Sequence, residues 1–138
     1  MPMLFSPLLW RSIYSSNGKI FADGIRVVPF KEVRVREGGQ IVQATQLPEG
    51  EKPESIRAFR ILSWFADGFV SASRDGERLV AGDQRFAIIT ESTTPLWGLE
   101  FDRSGFQTWG GGLTGRLAER DMFWSELFHG EGYHPLAH

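Results

Sequence analysis

All three histidines of this chain, His129, His134 and His138, fall in its last ten residues. In His129-Gly130-Glu131-Gly132-Tyr133-His134, two imidazoles and a carboxylate lie close together, donor types that hold zinc or a similar divalent ion. The histidines are five residues apart with two glycines between them, so no single helix face can preorganise them. A polar tail after the last helix is the simpler account of His129, Glu131 and His134. Asp83 and Arg85, within Gly82-Asp83-Gln84-Arg85-Phe86, are the other candidates for chemistry. They suit an ion pair or, with Asp67, a carboxylate pair for acid–base work. Acidic residues beside glycine more often form turns. The histidine positions and the lack of a Gly-x-Ser-x-Gly elbow leave no serine triad to argue for. The absence of cysteine excludes disulfides, thiolate zinc sites and a cysteine nucleophile.

Trp10, Trp64 and Trp97 are candidates for stacking on a ligand. Their simpler reading is core, gathered in one apolar layer. Five Trp and eleven Phe in 138 residues would make large sticky patches if most were exposed. Gly110, Gly112 and Gly115 spell a Gly-x-Gly-x-x-Gly pattern ahead of a predicted helix, where N–H groups favour anions. The run lacks a Walker ending and a preceding βαβ unit, so a connection between sheet and helix is the better reading, with Thr114 as the helix cap.

The elements that must hold these residues follow from periodicity and turn chemistry. Residues 8–14 predict a strand, and Asn17-Gly18 a hairpin turn. Residues 19–22 and 24–28 continue as strand with a bulge or bend at Asp23-Gly24. Pro29 suits a strand end. Residues 33–36 and 41–47 complete a β-meander. Pro53 opens a helix over residues 54–66, with Ile56, Phe59, Leu62 and Ala66 on one face and Asp67-Gly68 as its stop. A hairpin turns at Asp75-Gly76. Residues 85–90, 96–102 and 106–109 predict further strands. Residues 116–128 carry a second helical pattern through Leu117, Phe123 or Trp124, and Leu127, ending at Gly130.

The fold class expected is therefore α+β: a curved, mostly antiparallel sheet with one middle helix and one C-terminal helix, in a single soluble domain over 1–138. A formal charge of −2, from 15 basic and 17 acidic residues, gives no bulk electrostatic case for nucleic acid. The basic residues Lys31, Arg34 and Arg36 are interrupted by Glu32 and Glu37 and read as a solvated strand face. No apolar run approaches the ~18–20 residues that cross a bilayer, and there is no secretory signal, so no direct membrane insertion is expected.

Five runs stand in order along the chain: Pro7-Leu8-Leu9-Trp10-Arg11, Asp23-Gly24-Ile25-Arg26-Val27, Trp64-Phe65-Ala66-Asp67-Gly68-Phe69, Gly82-Asp83-Gln84-Arg85-Phe86 and Pro95-Leu96-Trp97-Gly98. Together they resemble the soluble C-terminal region of bacterial membrane-bound, metal-dependent hydrolases of the LexA-regulated inner-membrane type. The resemblance implies a domain at the cytoplasmic face of the inner membrane, beside a membrane-embedded portion that carries the metal site. None of that portion's ligands has a counterpart here, so any divalent metal belongs to the parent protein and no cofactor is expected in this chain. The leading expectation is an accessory domain that packs against the membrane-embedded partner or presents substrate to it, without catalysis of its own. One alternative is a stand-alone small-molecule binder or enzyme using Asp83, Arg85 and the C-terminal histidines. Another is a protein-interaction module docking through a sheet edge or Leu4-Phe5.

Overall fold

In the computed structural model, tight turns organise the strands. The structure describes residues 2–3, 6–87, 89–90, 92–110 and 134–135. Strand β1 (Pro2–Met3) pairs with β2 (Ser6–Ser16), which turns at Asn17-Gly18 into β3 (Lys19–Arg26). Asn17 and Gly18 have φ of 51° and 71°, the double positive of the hairpin turn whose twist matches its strands. Strands β4 (Arg34–Arg36) and β5 (Gln40–Val42) both pair with β3, and a late strand, β10 (His134–Pro135), pairs with β4. The second sheet runs β6 (Val70–Asp75), β7 (Arg78–Asp83), β8 (Trp97–Asp102) and β9 (Gly105–Gly110), with neighbours antiparallel throughout.

Helix α1 (Pro53–Phe65) lies between the sheets in sequence and packs on the second. Pro53 opens it, where a missing N–H costs nothing, and Glu54 places negative charge at its positive end. At its other end Asp67 and Gly68 both take positive φ, and the Gly68 N–H donates to the Ser63 carbonyl across 2.8 Å. That bond satisfies a carbonyl of the last turn and stops the helix at the expected place. Phe59, Leu62 and Ala66 join Val70, Leu79, Ala81 and Phe101 in the main core, with Trp97 and Leu99 packed against it. Burying Phe59 and Leu62 contributes about 1.5–3 kcal/mol each.

The two sheets are tied at two places. A bridge between Gln43 and Ser71 joins the end of the first to β6, reinforced by Ala44 N–H to the Val70 carbonyl at 2.7 Å and Gln43 Nε2 to the Gly68 carbonyl at 2.8 Å. The second tie is Arg11, described below. Among the described residues, no helix is long and apolar enough to cross a membrane.

The α+β class, the antiparallel pairing and the middle helix are as the sequence implies, with the strands divided between two sheets. Three details differ. Strand β3 runs through Asp23-Gly24 without a bulge: Arg11 pairs with Gly24, and Gly24 in turn with Arg36. Strand β5 ends at Val42 because the chain then crosses to β6. No strand forms among the described residues of 85–90; the chain turns at Gln84-Arg85, and the Gln84 and Thr90 carbonyls accept from the Arg11 side chain while the Phe86 carbonyl accepts from the Leu96 N–H. The helical pattern at 116–128 lies outside the described residues, as does the glycine run after Gly110.

Candidate functional site

Arginine 11 is 1% exposed, although its guanidinium carries a full charge. It reaches from β2 into the segment after β7, where Nε and Nη2 donate to the Gln84 carbonyl at 3.2 and 2.9 Å and Nη1 donates to the Thr90 carbonyl at 2.5 Å. Planar, forked donors match such a carbonyl cage, and lysine could not fill it. Gln84 itself is fully buried; its amide donates to the Ser71 hydroxyl and to the Thr93 carbonyl. Gln84 is thus fastened to both sheets, through Arg11 of the first and Ser71 of the second.

Asp83 and Arg85 do come together. The Asp83 carboxylate, with no exposed side-chain surface, accepts from Arg85 Nε at 3.0 Å and Nη2 at 2.8 Å, and also from the Arg85 backbone N–H. Those hydrogen bonds, set first against burial and then joined by the charges of Asp83 and Asp67, raise the Arg85 pKa above its ordinary value. The carboxylate is committed to its own neighbour. Asp67 sits at the helix stop, its left-handed φ of 52° serving the turn.

Arg85 leads instead to an aromatic cluster. Its guanidinium carbon lies 5.2 Å from the centre of the Phe65 ring and 5.4 Å from that of Phe86, within cation–π range. Phe65 meets Trp97 edge to face, with ring centres 5.6 Å apart. Beyond them opens a groove of about 540 Å³ between α1 and strands β8 and β9. Ile61, Leu62, Trp64 and Phe65 form its helix wall, and Trp97, Leu99 and Phe106 its sheet wall. Glu54 and Arg57 stand on its helix side as the polar members.

Helical spacing explains this wall. Phe59, Leu62 and Ala66 point into the core, which leaves Phe65 on the flank of that stripe and Ile61 and Trp64 farther round toward solvent. Trp64 is 81% exposed, Ile61 57%, Phe65 54% and Phe106 48%. The expected single layer of buried tryptophans is therefore not formed. Trp10 sits on the outer face of β2 at 38% exposure, its indole N–H donating to the Pro7 carbonyl, while Trp64 and Trp97 share the groove. Two of the three stacking candidates are thus brought to one site. Neither Ile61 nor Phe106 was among the candidates read from sequence. The apolar positions on α1 outnumber what one face can bury, and that excess was the signal for Ile61; Phe106, on β9, had only its place in an expected strand.

His134 is exposed and paired through β10 with Val35. His129 and Glu131 lie outside the described residues. Among the described residues, no three His, Cys, Asp or Glu side chains gather where they could hold a metal ion.

No family model, curated protein or solved structure matches the chain.

Proposed function

We propose that this chain is a binding domain that takes the apolar portion of a small amphiphile in the groove between α1 and β8–β9. The groove itself carries the reading. Its size falls in the range of small-molecule sites, its lining is aliphatic and aromatic, and Glu54 and Arg57 leave charged groups at hand for a polar end. Arg85 supports the wall from behind by holding Phe65 in place, and Asp83 holds Arg85. On this reading the two residues position the groove and do not touch the ligand.

Such a domain suits the accessory role implied by the motif resemblance: presenting an apolar substrate to a membrane-embedded, metal-dependent hydrolase at the cytoplasmic face of the inner membrane. The chemistry would then belong to the partner, and this chain would supply capture and orientation.

Titration with a dansyl-labelled long-chain fatty acid tests the proposal. Saturable binding with a single site is expected, weakened at least about tenfold by Ile61→Ser combined with Phe106→Ser, because both are half-exposed wall residues outside the buried core cluster; an unchanged circular dichroism spectrum checks that the variant, which loses the Phe106 ring beside Phe101, keeps its fold. Non-saturating uptake, or equal affinity in the double variant, would contradict it.

A further inference from the structure

Phe30 is 108% exposed, more open than a phenylalanine in an extended peptide, and its φ is +62°. Bulky residues rarely adopt that conformation. Pro29 precedes it with a restricted φ, and the Lys31 N–H donates to the Val28 carbonyl at 3.1 Å, closing a turn with Phe30 at its tip. The loop is rooted by the Val27 N–H on the Leu8 carbonyl at 2.8 Å. Its apolar tip is therefore held outward by the backbone.

Beside the tip lies a depression of about 450 Å³ lined by Arg26, Val28, Lys31, Glu32 and Arg34. Three cations against one carboxylate make this a local positive patch on a chain whose overall charge is −2. Val33, also exposed, adds a second apolar residue to the loop.

We infer that the loop from Val28 to Arg34 docks on an anionic lipid bilayer, with Phe30 entering the headgroup layer and Lys31 and Arg34 meeting lipid phosphates. The bilayer interface accepts aromatic side chains at headgroup depth without a preformed pocket, which suits a single ring on a convex tip. Basic residues around the ring supply the attraction to anionic lipid. This contact is peripheral, and it amends the expectation of no membrane insertion by one side chain only. It does not depend on the apolar groove.

Co-sedimentation of the full chain with phosphatidylcholine vesicles, and with vesicles in which phosphatidylglycerol replaces part of that lipid, tests the inference. Binding is expected only with the anionic vesicles, and it should fall as salt rises. Phe30→Ser should abolish most of it. Lys31→Gln with Arg34→Gln should weaken it on the order of fivefold for each charge removed. Circular dichroism of Phe30→Ser should match the parent, since the ring is fully exposed. Equal binding to neutral vesicles, or full binding by Phe30→Ser, would overturn the inference. So would displacement by inorganic phosphate or duplex DNA at unchanged Phe30 dependence, because the patch would then serve a free anion or a nucleic acid.

Discussion

Arg11 and Asp83 show that the most conspicuous charges in this chain are structural. Removing the Arg11 guanidinium takes its hydrogen bonds from the Gln84 and Thr90 carbonyls, on residues that are fully buried. Arg11→Met should cost about 2–4 kcal/mol in urea unfolding, and Arg11→Lys should recover little of it. At the second pair, Arg85→Met should cost more than Asp83→Asn. The first strands a carboxylate with no exposed side-chain surface, whereas the second strands a guanidinium that is 21% exposed and can reach water. Values of about 3 kcal/mol and 1–2 kcal/mol are expected from the same unfolding measurement. The Trp-Arg and Gly-Asp-Gln-Arg runs were visible as motifs, and the Asp83–Arg85 pairing was legible from their two-residue spacing. The role of Arg11 was not, because its acceptors lie 73 and 79 residues away in sequence.

Elements with strong local signals are the ones that sequence reading located. The helix over 53–65 has a proline start, an Asp-Gly stop and a 3.6-residue stripe, and the hairpin at Asn17-Gly18 has turn residues that accept positive φ. The second hairpin turns one residue later than expected, at Gly76-Glu77, because Asp75 still pairs with Arg78 and Gly76 takes the positive φ. The segment 85–90 misled because alternating apolar residues look like a strand wherever their carbonyls go. Strands β7 and β8 carry a further constraint. Gly82 and Gly98 face each other in register; a Cβ on Gly98 would lie 2.0 Å from the Ala81 carbonyl oxygen, and one on Gly82 would lie 2.2 Å from Pro95 Cγ. Gly98→Ala should therefore destabilise by about 3 kcal/mol, read as a lower denaturation midpoint. The turn between β8 and β9 is set by charge. The Asp102 carboxylate accepts from the Ser104 hydroxyl, then from the N–H groups of Ser104 and Gly105, and its pKa lies below the ordinary 3.8. A depressed carboxylate contributes stability above its unfolded pKa and loses it as pH falls through the folded value. Asp102→Asn should thus lower the melting temperature at neutral pH, and the difference from the parent should vanish in strong acid.

At the scale of the whole molecule, two sheets fastened by Arg11 and the Gln43–Ser71 bridge hold α1 so that part of its apolar surface lines an open groove. Composition had warned that this many rings need a place, and burial was the natural assumption. Whether a ring on α1 faces the core or the groove depends on how the helix is rotated over the second sheet. That rotation is decided by contacts to Leu79 and Phe101, which local periodicity does not encode. The groove is the account's central claim, and an amide and indole chemical-shift titration with a twelve-carbon alkyl amphiphile tests it most directly. The predicted result is saturable shifts concentrated at Ile61, Phe65, Leu99, Phe106 and the Trp64 and Trp97 indoles, with sheet residues such as Ser12 and Ala22 unmoved. Shifts that never saturate, or that scatter over both sheets without favouring these residues, would contradict it.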